Sequence, residues 1–407
     1  MADMFSGAKV LVAGGTGFVG VNLIQRLLSL GADVRATVHL KEPVLQDPRI
    51  EYLKCDLTGM EDCQKAVRDM EYVFMCAANT SGAAVMKATP LVHVTPNLLM
   101  NSQLLEAAYF EKVKKFVWIS SSAAYPPTDD RPVTEKELFD GDPYEAYFPV
   151  GWMKRYIEVL CRMYSEKLAD PMTTVVLRPS NMYGPYDDFD PDTSHMVSAL
   201  IKKVVERNDP LEVWGTGDDI RDLIYIDDFV DAMVLAAEKI DSYLPLNIAV
   251  GNGYSVKQVL QTMLEADGFT GAKVVFNSSQ PSTIPVRLVD TALAEKVLGQ
   301  RGPSSNDQMM PSSRPTLRSQ ELKAAYDDLD LASIGGRPAA EKPQVYVDPF
   351  LAGFGDPGVG VPGAGRSPVV FEALKRDRIP PPCESVDSGG SSRLVESPDM
   401  VRRSGGL

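Results

Sequence analysis

The chain has 407 residues, of which 44% are hydrophobic and 24% charged. That is enough for two or three domains with sizeable cores, in a composition ordinary for a globular protein. The net charge of −14 argues against a phosphate-tracking surface, so no nucleic acid is expected as a partner, though a small anion pocket needs only one or two arginines.

Five cysteines (Cys55, Cys63, Cys76, Cys161, Cys383) form no CxxC pair, and His39, His93 and His195 are the only histidines. Reduced thiols in a cytoplasmic protein are expected, with no metal site. No signal-peptide pattern opens the chain, and no run nears the roughly 20 apolar residues of a membrane span, so no membrane partner is expected.

Apolar runs alternate with helical patterns from the start. Residues 9–13 read as a buried parallel strand, and 17–30 as a helix with Val19, Leu23, Leu27 and Leu30 on one face. Strands are predicted at 33–38, 72–77 and 116–120, and a further one before Asp56. Helices are predicted around 61–68 and 97–110. Such alternation implies right-handed crossovers and a parallel sheet covered on both faces. Residues 152–168 form the clearest helical pattern, with Tyr156, Ile157, Leu160, Met163 and Tyr164 at helical spacing. A core strand at 173–177 follows, then a loop-rich stretch at 187–194. Beyond Gly299 long apolar periodicity ends, and Gly plus Pro make up roughly one-quarter of the residues, which reads as a mostly disordered tail.

Gly14, Gly17 and Gly20 lie in the run AGGTGFVG, directly after the first strand and opening the first helix. Such a trio permits a tight turn, close backbone approach to a pyrophosphate and close helix–strand packing. The helix N-terminus adds N–H groups and a positive dipole end. A dinucleotide is therefore expected against Gly14, Thr16, Gly17, Phe18, Val19 and Gly20. At the end of the second strand an acid would favour NAD(H) and an arginine NADP(H). Arg35 is placed there, so NADP(H) is favoured over NAD(H). Asp56 and Leu57 after the third strand, and Ala77 and Ala78 after the fourth, are the other expected cofactor contacts.

The order of these features resembles the extended short-chain dehydrogenase/reductases, in their nucleotide-sugar epimerase/dehydratase branch. The resemblance covers residues 8–299. Its marks are the glycine loop, Ser120-Ser121-Ser122-Ala123-Ala124-Tyr125-Pro126, the segment from Gly151 to Arg155, Arg178-Pro179-Ser180-Asn181-Met182-Tyr183-Gly184-Pro185, and Arg221-Asp222-Leu223-Ile224-Tyr225-Ile226-Asp227-Asp228. The stretch from Asn181 to Phe189, with Ser194-His195, is most similar to the GDP-4-keto-6-deoxymannose epimerase-reductases, the GDP-L-fucose synthases. The resemblance implies a Rossmann doubly wound parallel sheet, an α/β fold, formed by residues 1–177 and 222–250. A smaller substrate-binding domain of residues 178–221 and 251–299 would carry a nucleotide-diphosphate sugar as partner. It also implies a homodimer paired through the helices near 97–110 and 152–168.

Catalysis in that family rests on a serine, a tyrosine and a lysine. By resemblance the serine is Ser121 and the lysine Lys154, which also holds the cofactor ribose, while His195 stands where an epimerisation acid is kept. Ser122, Asn181, Arg221 and Arg287 match substrate-binding positions. Two positions depart from the pattern. Four residues before Lys154, where the tyrosine belongs, stands Val150, and Ala123 replaces a cysteine base. Tyr147, seven residues before Lys154, is the nearest phenol. The implied function is an NADP(H)-dependent epimerase/reductase impaired at Val150, with a non-catalytic ligand-binding protein as the rival.

Overall fold

In the computed structural model, which describes residues 4–80, 91–190, 193–280 and 284–299, side-chain alternation along the strands accounts for how the main sheet is buried. In β1 (Lys9–Ala13), Val10 and Val12 enter one apolar cluster, and Leu11 and Ala13 enter another on the opposite face. The pattern repeats in β4 (Tyr72–Met75), where Phe74 faces one way and Val73 and Met75 the other. A strand whose side chains are buried on both faces reads as a continuous apolar run and needs helices on both sides.

Those helices are present. Against the first face lie α1 (Phe18–Ser29), through Leu23, Ile24 and Leu27, and α6 (Ile226–Lys239), through Phe229 and Met233. The second face carries α2 (Met60–Val67), α3 (Leu91–Phe110) and α4 (Phe148–Glu166), which contribute Cys63, Leu104, Leu105, Ile157 and Cys161. Each large side chain so buried contributes about 1.5–3 kcal/mol.

The sheet has seven parallel strands. Besides β1 and β4 it holds β2 (Asp33–Val38), β3 (Ile50–Lys54), β5 (Lys115–Ile119), β6 (Thr173–Pro179) and β10 (Leu244–Ile248), in the order β10-β6-β5-β4-β1-β2-β3. This is the doubly wound Rossmann arrangement with one further parallel strand beside β6. Between β6 and β10 the chain builds β7 (Asn181–Tyr183), α5 (Met196–Val205), β8 (Leu211–Trp214) and β9 (Ile220–Tyr225). After β10 come β11 (Gly253–Ser255), α7 (Val256–Asp267), β12 (Val274–Asn277), β13 (Val286–Arg287) and α8 (Ala292–Leu298). Tyr183, Val197, Ile201, Leu223, Val259 and Met263 form a separate core for this smaller region.

The helix expected at 97–110 begins six residues earlier, with Pro96 inside it. Proline cannot donate to the carbonyl four residues back. Asn79 Nδ2 supplies the missing bond, 3.0 Å from Val92 O. Exposed apolar stripes run along α3 (Val92, Leu99, Phe110) and α4 (Phe148, Trp152, Tyr156, Val159). Among the described residues no helix is long and apolar enough to cross a membrane, and no His/Cys/Asp/Glu cluster suits a metal ion. Cys55, Cys63, Cys76 and Cys161 are free. Cys383 and the stretch 300–407 lie outside the described residues.

A buried ion pair ties α4 to β6. Arg178 and Glu158 are 2% and 1% exposed, and the guanidinium meets both carboxylate oxygens, Nη2 to Oε2 at 2.5 Å and Nε to Oε1 at 3.0 Å. Removing one partner of a sealed pair leaves the other charge unpaired, at a cost of about 3–5 kcal/mol. Glu158→Ala should therefore lower unfolding stability by about that much in urea titration, whereas the double change Glu158→Leu with Arg178→Met should cost clearly less. Equal losses in both would show that the charges are not coupled.

Candidate functional site

Because all seven strands of the large sheet are parallel, their carboxyl ends share one edge. The strand order reverses direction beside β1, which pairs with β2 on one side and β4 on the other. In such sheets a crevice opens at that switch point. The glycine loop, the ends of β2 to β5 and the first turn of α1 converge on it.

Three glycines of the loop are required by packing, Gly15 among them because a Cβ there would stand 2.6 Å from Ala36 Cβ. Gly14 has φ +84°, and a Cβ there would stand 2.6 Å from Ala77 Cα. A Cβ on Gly20 would collide with the Gly14 carbonyl. Gly17 differs, because its Cβ would meet only Gly14 O, at an ordinary 3.4 Å. The protein's own packing tolerates a side chain at 17, so glycine there keeps clear the space before α1. Gly17 is the N-cap, with no side-chain capping bond and no acid in the first turn of Phe18, Val19 and Gly20. That helix end offers donors and a positive dipole without an anion of its own, which fits a pyrophosphate. Thr16, partly buried, lies in the same turn.

Arg35 is a correction to the sequence reading. It lies in mid-strand, paired with Leu11 and Glu51, and not at the strand's end. Its Nε donates to Glu51 Oε2 at 2.8 Å, and its Nη1 donates to the Ala66 and Arg68 carbonyls at the end of α2. That guanidinium stabilises a helix C-terminus. The basic residues that follow β2 are His39 and Lys41, and no acid precedes Glu42.

Asp56 is exposed beyond β3, and its Oδ1 accepts from Thr58 N at 3.0 Å and Thr58 Oγ1 at 2.6 Å. Those hydrogen bonds hold its carboxyl below the usual range, with the nearby His39 charge adding a smaller effect. Leu57 belongs to the core by its side chain. Ala77, against Gly14, and Ala78 follow β4. The segment is held by Asn79, whose N donates to Asn97 Oδ1 and whose O accepts from Asn97 Nδ2.

Lys154 reaches the same edge at the end of β5. Its Nζ donates to Ile119 O at 2.8 Å and lies 4.8 Å from the Trp118 ring centroid. Burial lowers its pKa to about 8, against the opposing charge of Glu158 one turn on. Ser121 follows β5 and caps the short turn Ser122–Ala124, its Oγ accepting from Ala123 N at 3.1 Å. Ser122 is buried, and its carbonyl accepts from Tyr125 N. A Cβ on Gly151 would stand 2.6 Å from Pro143 and 3.2 Å from Ala123 O, so α4 sits tightly on the serine turn.

Val150 occupies the first turn of α4, one turn before Lys154 on the same face. Tyr147 is the N-cap residue, outside the helix. Seven residues at 1.5 Å each separate it from Lys154 by about 10 Å along the axis. Its electrostatic neighbour is Arg287. His195 precedes α5 with an exposed side chain and makes no side-chain cap. Desolvation of the imidazole holds it below its usual range, against the opposing charge of Asp188.

Two of the four residues matched to substrate positions stand side by side. Arg221 on β9 and Arg287 on β13 are register partners in parallel strands, 7% and 4% exposed. Asp219 lies 3.4 Å from Arg221, and Arg287 Nη1 and Nη2 donate to the Pro126 and Tyr125 carbonyls. Arg287 Nε is buried without a hydrogen-bond partner among the described residues. Burial, reinforced by the Arg221 charge, lowers Arg287 to about 10. Asn181 on β7 donates to Asp222 O at 3.1 Å and is exposed.

Sequence reasoning missed the network behind these groups. Glu158 accepts from Ser120 Oγ at 2.5 Å as well as from Arg178. Arg178 Nη1 donates to Tyr125 OH at 2.6 Å, and that phenol donates to Asn247 Oδ1 at 2.6 Å. Burial pushes the Tyr125 phenol above its ordinary range, which makes it a structural group. The available signal was the spacing: Glu158 follows Lys154 by four residues on one helix face. Asp187 was also missed as a titrating group. Burial raises it to about 7, while its bonds from Asp188 N and Ser198 and the charge of Lys41 act to lower it.

Residues 10–249 match the NAD dependent epimerase/dehydratase family. Among curated relatives, a probable GDP-L-fucose synthase 1 of Oryza sativa subsp. japonica is 28% identical over 301 residues, covering 72% of this chain and 86% of the relative. The GDP-L-fucose synthase of Escherichia coli (strain K12) is 28% identical over 295 residues, covering 69% and 88%. The fold is similar to that of a UDP-glucose 4-epimerase with UDP-glucose from Thermotoga maritima, at TM-score 0.67 and 24% identity, covering 79% of this chain and 98% of that one.

The glycine geometry makes a separable prediction. Gly17→Ala should leave the unfolding transition near that of the parent while weakening dinucleotide binding by about tenfold or more, roughly 1.4 kcal/mol. Gly20→Ala should destabilise the fold itself. Calorimetric titration beside thermal melts checks both, and undiminished binding in Gly17→Ala would sink the assignment of the cradle.

Proposed function

Because the chain belongs to the NAD dependent epimerase/dehydratase family, we propose that it binds NADP(H) and a nucleotide-diphosphate sugar and slowly reduces a keto-deoxy sugar, in the manner of a GDP-L-fucose synthase. The observation that carries the reading is the buried, registered pair Arg221 and Arg287 on the substrate side. Two guanidiniums at neighbouring strand positions, with Asp219 as the adjacent acid, suit a diphosphate's spread charge. Relatives named GDP-L-fucose synthase support the sugar-nucleotide class.

When bound, the reduced nicotinamide supplies hydride. The chain's part is to hold and to protonate. The backbone at Gly14–Gly20 holds the pyrophosphate, and Ala77, Ala78 and the Asp56–Leu57 turn line the adenosine side. His39 and Lys41, the bases that follow β2, favour a 2′-phosphate, so the NADP(H) preference rests on them in place of Arg35. Lys154 holds the ribose. Asn181 and Ser122 meet the sugar, and Ser121 donates a hydrogen bond to its carbonyl oxygen.

The proton steps are where this chain is weak. Val150 offers nothing one turn before Lys154, and Ala123 cannot act as a base at a sugar carbon. His195, exposed before α5, is left as the epimerisation acid. A specific observation therefore favours a second reading as well, a protein that binds both ligands without turnover. The exposed stripes on α3 and α4 fit a homodimer, which light scattering reads as a doubled mass. A cytoplasmic location belongs to the same proposal, and fractionation with the protein in the membrane pellet would oppose it.

NADPH should bind roughly ten- to a hundredfold more tightly than NADH, the worth of a charge-assisted phosphate contact. Lys41→Ala should narrow that gap in a fluorescence titration. Equal affinity of the parent for the two cofactors would contradict the preference.

A positioned acid is worth typically 10²–10⁴-fold in rate. Val150→Tyr should accordingly raise turnover of GDP-4-keto-6-deoxymannose with NADPH at least about tenfold. If the unmodified chain already turns over at about 1 s⁻¹ or faster and Tyr147→Phe abolishes this, Tyr147 is the acid and the impaired reading fails.

A further inference from the structure

A buried amine lies one helical turn beyond the position that lacks a phenol. Lys154 Nζ spends one donor on Ile119 O and has no second hydrogen-bond acceptor among the described residues, while its charge rests on the Trp118 face. An ammonium carries three N–H donors, so the amine keeps protons available toward the crevice. Val150, one turn earlier on the same face, has none. Among the described residues, the one titratable group whose charge acts on the amine is Glu158 of α4, and from β5 the amine meets the Ile119 carbonyl and the Trp118 ring. Glu158 is committed to Arg178 and Ser120, and among the described residues Lys154 has no ion-pair partner of its own.

We propose that Lys154 is itself the proton donor of the reduction, passing an ammonium proton through one water molecule to the oxygen of the sugar ketone. The idea rests on the reading of this site as a reductase. As the carbonyl carbon accepts hydride from the reduced dinucleotide, the C=O π pair becomes a lone pair on oxygen. That oxygen takes a proton from the water, and the water takes one from Lys154. The ketone is reduced to an alcohol, the dinucleotide is oxidised, and Lys154 is left as a neutral amine that solvent reprotonates. One bridging water lies within the reach expected of a general acid. Ser121 holds the same oxygen but cannot replace the proton it would lose.

An amine whose ionisation is brought down to about 8 is a better acid at neutral pH than an ordinary lysine, because it gives up its proton more readily while still mostly charged. The sign follows directly: the active form is the ammonium, so turnover is full below that pH and lost as pH rises through it. An arginine in its place stays charged and is too weak an acid to donate.

The test pairs turnover with an independent titration of the amine. Competitive acetylation across a pH series, read by peptide mass spectrometry on the NADPH-bound protein, should place the ionisation of Lys154 at about 8. The alkaline limb of kcat should fall at the same pH. Lys154→Arg should lower kcat about a hundredfold or more and remove the limb. Adding Val150→Tyr to Lys154→Arg should restore turnover by supplying a phenol. Tyr147→Phe should move KM for the sugar nucleotide and leave the limb in place. Ionisation of Lys154 at 10 or above, a limb that survives Lys154→Arg, or no turnover at any pH would each overturn the proposal. Failure of the ligand-binding reading shows separately, as absent heat on titrating NADPH or the sugar nucleotide.

Discussion

The pairing of Glu158 with Arg178 is the constraint on which the candidate site depends. Glu158 stands one turn beyond Lys154, so locking its carboxylate to β6 fixes the rotation of α4 and with it the height at which the Lys154 amine meets Ile119 O. The same carboxylate accepts from Ser120, the residue before Ser121. Arg178 continues the chain of contacts to Tyr125, and Tyr125 reaches Asn247 on β10. Asn247 N in turn donates to Glu135. An apolar pair of similar volume in place of Glu158 and Arg178 could be as stable. What apolar side chains do not supply is a fixed rotation of α4 against the strand ends it covers, since β5, β6 and β10 are already tied to one another by sheet hydrogen bonds. We take specificity of position as the role of the network, and its polar atoms are satisfied in a way that supports this.

Convergence on one edge follows from topology. Parallel strands must return through helices, so every strand of the large sheet ends on the same side, and the turns that follow them are free to differ. Here those turns carry unlike tasks. The turn after β1 is closed by backbone contacts that only Gly14 and Gly20 allow. The turn after β4 is clamped by Asn79 and Asn97, the former also completing a helix that Pro96 would leave one bond short. The turn after β5 is pressed against α4 at Gly151. The loop after β7 is joined to α1 through Asn22, whose Nδ2 donates to Pro185 O at 3.0 Å, which brings the smaller region against the helix that the glycine loop opens.

The fold was legible where one physical signal dominated. The strands at Lys9–Ala13 and Asp33–Val38 have the bounds read from apolar runs alone, because they are buried on both faces and end at glycine or polar turns. The start of α3 was not legible, since Pro96 reads as a helix boundary and the side chain that rescues it lies elsewhere in the chain. Arg35 shows the limit for sites. The sequence put it at the strand's end, whereas strand register sets it in mid-strand, where the carbonyls at the end of α2 take its guanidinium. Arg221 and Arg287, 66 positions apart in number, could be matched to a family pattern, yet only strand register shows them side by side. The buried network was invisible for the same reason: a charged residue on an amphipathic helix looks solvated until a partner across the core is known.

The central claim is that both ligands are held while no phenol reaches the reacting oxygen. A crystal structure with NADP⁺ and a nucleotide-diphosphate sugar tests it most directly. The account predicts the diphosphate against Arg221 and Arg287, the sugar's reacting oxygen about 3 Å from Ser121 Oγ, and an ordered water between that oxygen and Lys154 Nζ. The Tyr147 hydroxyl at hydrogen-bond distance from the reacting oxygen would contradict it.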